Sequence, residues 1–195
     1  MRLDQIWFME MMRVVTLLTD RIFFDTDCLS AFLWVNNQSI LAQLYSSQII
    51  IPMQVYNELS YPTTPHLKMR MDAMVSNGDA RLESFAVGSE EYKLYMKLTT
   101  DPDKGFHVIG AGEAAGIAMA KERNGILASN NISDIQQYVE LYDIKHITTG
   151  NILKEALGRK LITQTQGDQI WSDMLKKKRQ LGYSSFSDFL LHNQD

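Results

Sequence analysis

Short apolar runs alternate along this chain with longer segments whose apolar residues recur every three or four positions, the pattern of strands separated by amphipathic helices. Arg21 to Asp25 reads as a first apolar strand ending in an acid, and a helix from about Cys28 to Ser46 follows, with Leu29, Phe32, Leu33, Ile40, Leu41 and Leu44 on its apolar side. Gln48 to Pro52 is a second buried strand. Pro52 cannot extend it and suits the first turn of a helix carrying Val55, Glu58 and Leu59 and ending before Pro62. A helix over Pro65 to Asn77, a strand over Ala80 to Val87 and a helix over Ser89 to Thr99 come next, with Ser89 placed to cap the last of these. The polar loop Asp101 to Gly105 separates them from the stretch around which the chain is organised.

That stretch runs from Gly110 to Asn131: a small-residue helix, a stop at Gly125, and the short apolar strand Ile126 to Ala128. Ala114, Ala115, Gly116, Ala118 and Ala120 carry little bulk, so the helix can lie close against a sheet. Its one early acid, Glu113, sits where the positive end of the helix dipole favours a carboxylate. A helix over about Ile132 to Leu141, a strand over Ile144 to Thr148 and helices over Thr149 to Lys160 and Thr163 to Leu181 complete the alternation. Ser185 to Asp188 opens a last helical turn. Strands alternating with helices imply a mostly parallel sheet covered on both faces. The boundaries suggest an N-terminal strap or helix over 1–20 with Trp7, Phe8, Met11 and Val15 on one face, a core domain over 21–160 and a helical appendage over 161–195.

Composition narrows the class. The chain has 195 residues, 45% of them apolar, enough for one substantial core. Its net charge of -4 argues against a nonspecific nucleic-acid coat, but a metal-binding acid cluster is itself negative. Basic residues outnumber acids from Gly150 onward, and Lys176 to Arg179 form a basic run suited to an RNA or partner contact or to a solvated helix end. The single cysteine, Cys28, excludes an intrachain disulfide and fits a reducing compartment. No run approaches a membrane span and no cleavage signature opens the chain, so a cytoplasmic protein without membrane contact is expected. His66, His107, His146 and His192 lack metal-ligand spacing, and Met69, Met71, Met74, Met96 and Met119 read as core fillers.

The acids carry the chemistry. Asp25 ends a strand, Glu58 follows the second strand, Glu113 starts a helix and Asp134 follows the fourth strand. Strand ends lie along one edge of a parallel sheet, so these groups can converge there. Clustered carboxylates hold Mg²⁺ or Mn²⁺ through oxygen and leave positions open for water and phosphate. A competing reading takes Gly110-x-Gly112-x-x-x-Gly116 as a dinucleotide turn. It meets the physical requirements poorly, because Glu113 would face the pyrophosphate and no acid ends the next strand to hold a ribose.

Asp25-Thr26-Asp27-Cys28-Leu29 after an apolar strand, Val55 to Leu59 around Glu58, and Gly112-Glu113 followed by Ala114 to Ala120 closely resemble three successive signatures of PIN domains, which include the toxin ribonucleases of VapC type. The likeness spans about Arg21 to Thr149, and the segment from Gly150 is similar to a subgroup with extra C-terminal helices. The resemblance implies a three-layer α/β/α PIN-like fold with a central, mostly parallel sheet and a C-terminal helical extension. It also implies a divalent-metal-dependent endoribonuclease, the toxin of a toxin–antitoxin pair, with RNA, an antitoxin protein and a second copy of the chain as partners. Asp25, Glu58 and Glu113 would be catalytic; Asp25, Glu113, Asn131 and Asp134 would surround Mg²⁺ or Mn²⁺; Thr26, Ser129 and Asn130 would meet substrate. The family pattern has an acid in a Thr/Ser-x-Asp arrangement where this chain has Ser129-Asn130-Asn131, and Asp134 or Asp27 could compensate. That departure keeps a second class open, a PIN module that binds nucleic acid or protein without cleaving, and a nucleotide-binding protein stands third.

Overall fold

A computed structural model describes residues 21–193 of the protein. The strap or helix expected over 1–20 lies outside these residues. Five short parallel strands form one sheet: β1 (Ile22–Phe24), β2 (Ile49–Pro52), β3 (Ala80–Glu83), β4 (Ile126–Ala128) and β5 (Lys145–Ile147), in the order β3-β2-β1-β4-β5. Their residues alternate between two cores, as the pleat requires. Ile22, Phe24, Ile49, Ile51, Ile126 and Ala128 enter one, whereas Phe23, Ile50 and Leu127 enter the other.

Helices cover both faces. On the first lie α1 (Thr26–Trp34), α2 (Gln38–Tyr45), α3 (Met53–Leu59), α4 (Pro65–Ser76), α8 (Thr149–Gly158), α9 (Gln164–Lys176) and α10 (Phe186–His192); on the second lie α5 (Glu90–Thr100), α6 (Ala111–Glu122) and α7 (Ile132–Leu141). The split follows from chain direction. The chain steps from β1 to β2 to β3 one way, then returns across the sheet to β4 and β5, and crossovers of one hand put the returning helices on the opposite face. The reversal falls between β1 and β4, and in open sheets of this kind the crevice for a ligand lies at the carboxyl ends of the strands that flank such a reversal.

Several expected elements take a different form. The helix expected over Cys28 to Ser46 is two helices, because Asn36 adopts a left-handed φ of 59° and Asn37 turns the chain back. The strand expected over Ala80 to Val87 stops at Glu83, and the helix expected to reach Leu181 stops at Lys176. Helix α6 stops at Glu122, where Asn124 takes the left-handed turn with φ 50°. Gly125 is required for a different reason: a Cβ there would lie 2.7 Å from the Arg21 carbonyl and press on the Phe23 ring. Met71, Met74 and Met119 fill the cores, but Met69 and Met96 face solvent, Met69 at 67% exposure.

The apolar stripes of α2 and α9 are buried within the chain itself. Leu41, Leu44, Ile170, Trp171 and Met174 all join the first core, with Phe186 and Phe189 of α10. Among the described residues no helix is long and apolar enough to cross a membrane.

Candidate functional site

The crevice between β1 and β4 is lined by the residues that follow those strands and by the start of α6. Asp25 directly follows β1 and is the N-cap of α1: its Oδ1 accepts the Cys28 amide at 2.7 Å, as a capping carboxylate should. Its backbone amide donates to the Ala128 carbonyl at 2.9 Å, which fixes it beside the end of β4. The side chain is fully buried, and Oδ2 has no hydrogen-bond partner among the described residues. Burial pushes the Asp25 carboxyl up to about 7, with Asp27 and Glu113 adding to the rise; the Cys28 amide and Ser129 oppose it, although no formed hydrogen bond reaches Oδ2. An orphaned, desolvated carboxylate oxygen is costly unless a proton or a cation meets it.

Glu113 stands opposite on the first turn of α6. Its Oε2 accepts the Gly110 amide at 3.1 Å, and Oε1 accepts the Asn131 side-chain amide at 2.6 Å. Burial raises its pKa, and the charges of Asp134 and Asp27 add to that effect. The Asn131 nitrogen also donates to Asp134 Oδ2 at 2.7 Å, so one neutral amide spans two carboxylates. Ser133 closes the group by donating to Asn131 Oδ1 at 3.1 Å.

Glu58 reaches the crevice from α3. It accepts the Thr26 hydroxyl and, at 2.9 Å, the backbone amide of Gly112. Gly112 is essential to that approach, since a Cβ there would overlap Thr26 Oγ1 and stand 2.8 Å from Glu58 Oε2. Glu58 and Glu113 thus occupy the Gly112 and Gly110 amides that a pyrophosphate would need, and residues 106–109 form no strand. The dinucleotide reading has no anion cradle left.

Of the positions expected to meet substrate, Thr26 is engaged with Glu58. Ser129 is buried, and its Oγ accepts the Asn131 amide at 3.3 Å. Asn130 turns away from the acids. Its Oδ1 accepts the Thr149 amide and its Nδ2 donates to Thr149 Oγ1, both at 2.9 Å, which pins the end of β4 to the start of α8. His146, unremarkable in the sequence, contacts the Ser129 carbonyl through Nε2 at 2.9 Å, and burial keeps its ring below the ordinary histidine pKa.

The donor set bears on a metal. No group of three His, Cys, Asp or Glu residues among the described ones is arranged to hold an ion. A Mg²⁺-type site needs fewer: one or two carboxylates, with water and substrate phosphate completing the shell. Asp25 Oδ2, Glu113 and the amide oxygen of Asn131 are hard oxygen donors, and the unpartnered Asp25 oxygen is the kind of group a cation relieves, so the residues fit one.

A family profile described as a PIN domain matches residues 21–191. No curated protein matches the chain. Among solved structures, VapBC2 from Rickettsia felis bound to a DNA fragment from their promoter is similar to it with a TM-score of 0.47 and 17% identity, covering 65% of this chain and 97% of that one.

Proposed function

Since the profile match covers residues 21–191, the chain belongs to the PIN domain family, and from that premise we propose that it is a divalent-metal-dependent endoribonuclease. The observation that carries the reading is the buried, unpartnered Oδ2 of Asp25, a carboxyl near enough to Glu113 to feel its charge. In this reading Asp25 and Glu113 hold Mg²⁺ or Mn²⁺, which when bound activates water and offsets charge on a phosphodiester under attack. Glu58, fixed by Thr26 and the Gly112 amide, orients the attacking water from the α3 side. Asn131 and Asp134 flank the ion, and the buried Ser129 holds the Asn131 backbone in place. The chain would act in the cytoplasm as the toxin of a toxin–antitoxin pair, silenced by an antitoxin protein and able to pair with a second copy.

Incubation of the full chain with an unstructured RNA, with Mn²⁺ or with EDTA, tests this reading. Cleavage that needs the metal and is lost in Asp25→Asn and Glu113→Gln supports it; equal cleavage by wild type and both variants rejects it.

One observation favours a second reading, a PIN module that binds without cleaving. The Asn131 amide nitrogen already bridges Glu113 and Asp134, the role a cation would play between two acids. Calorimetry separates the two: a module of this second kind shows no Mn²⁺ binding that depends on Asp25.

A further inference from the structure

The basic run Lys176 to Arg179 has no part in the acid crevice, yet it is docked beside it. Helix α9 ends in a fixed turn: Lys178 takes a left-handed φ of 59°, its amide donates to the Leu175 carbonyl at 2.8 Å, and the Arg179 amide donates to the Met174 carbonyl at 3.1 Å. Cations at a helix C-terminus complement its dipole, which accounts for Lys176 and Lys177 as local features. It does not account for Arg179, which leaves α9 and crosses to α1. There its Nη1 donates to Ser30 Oγ at 3.1 Å and stands 3.9 Å from Asp27 Oδ1. Lys177 Nζ lies over the Trp34 ring, 5.7 Å from its centroid.

Asp27, Ser30 and Trp34 are spaced i, i+3, i+7 and so share one face of α1. The basic turn therefore meets that face at both ends: Arg179 at Asp27, two residues after the N-cap Asp25, and Lys177 at Trp34, the last residue of the helix. Seven residues of helix span about 10 Å, room for roughly three phosphates of a stacked strand at about 3.4 Å each. Lys177 and Lys178 are solvent-exposed. An acid cluster repels a polyanion, so a cationic rail leading up to it is what an RNA strand requires in order to approach.

We propose that Lys177, Lys178 and Arg179 form a phosphate-gripping rail that guides single-stranded RNA along α1 into the crevice. This rests on the ribonuclease reading for the identity of the ligand.

The test is binding of a fluorescent, unstructured RNA to the full chain in EDTA across a range of NaCl. Removing one cation that neutralises a phosphate of a single strand lowers the slope of log affinity against log salt by about 0.7. The variant with Lys177, Lys178 and Arg179 all changed to Ala should therefore show a slope smaller by about 2 and bind about tenfold more weakly. A variant with Lys93, Lys97 and Lys104 changed to Ala removes as much charge from α5 and the loop that follows it and should bind like wild type. Equal weakening in both variants, unchanged binding in the first, no RNA binding by wild type, or a first variant that loses only binding to anionic vesicles each overturns the rail. Metal-dependent cleavage is scored separately: unchanged binding with intact cleavage rejects the rail alone, and lost binding with no cleavage by wild type rejects the ribonuclease reading alone.

Discussion

The side-chain nitrogen of Asn131 donates to Glu113 Oε1 at 2.6 Å and to Asp134 Oδ2 at 2.7 Å. A neutral amide stands between two acids that would otherwise repel each other. For the same group to ligate a cation it must turn its oxygen inward, so ligation by Asn131 and this bridge exclude one another.

Asn131→Asp converts the bridge into a third carboxylate. Without metal, stability at neutral pH should fall, by an amount on the order of 1–3 kcal/mol for the loss of two partly exposed hydrogen bonds to charged groups. Added Mg²⁺ should restore much of it through binding to the folded state. Urea denaturation with and without Mg²⁺ measures both. Asn130→Asp is the control. It faces Thr149, away from the acids, and should show no Mg²⁺-dependent recovery.

Asp25→Asn should stabilise the metal-free protein at high pH. The Asp25 pKa is raised from 3.8 to about 7 on folding, so the folded state holds the proton more tightly. The stability that goes with the proton is complete below pH 3.8 and is lost as pH rises through 7. The variant should match wild type near pH 4 and exceed it at pH 8 by roughly 4 kcal/mol at most. Denaturation in EDTA across that range is the measurement, and parallel curves would refute the assignment.

Gly112→Ala should cost about 1–3 kcal/mol by overpacking, because its Cβ would displace Thr26 and Glu58 together. A thermal melt that falls by less than the error of the measurement would show the packing there to be slack.

Phe186→Ala should cost about 3–5 kcal/mol. Phe186 is fully buried against Trp171 and Phe189 in the core that also holds β1. Unfolding should stay a single transition. A separate early transition would show that α9 and α10 melt independently of the sheet.

What the sequence disclosed follows local rules. The acid after β1, the proline that ends β2, the small residues of α6 and the capping serines of α5 and α10 each announce an element within a few positions, and those elements stand where the pattern places them. What it concealed depends on distant partners. The break at Asn36 comes from an Asn in the left-handed region, without the Gly or Pro that usually signals one. The role of Asn130 depends on Thr149, nineteen residues away, and Glu58 is locked by a glycine fifty-four residues away. The docking of Arg179 on Ser30 spans 149 residues and has no local signature.

The most direct test of the central claim is a crystal structure of the full chain grown with Mn²⁺ and measured at a wavelength where manganese scatters anomalously. The account predicts a peak within about 2.0–2.2 Å of Asp25 Oδ2, as for an octahedral Mg²⁺-like ion, with Glu113 as a second ligand and the Asn131 amide turned oxygen inward. A well-ordered crevice with no peak, Asn131 still bridging Glu113 and Asp134, would contradict it.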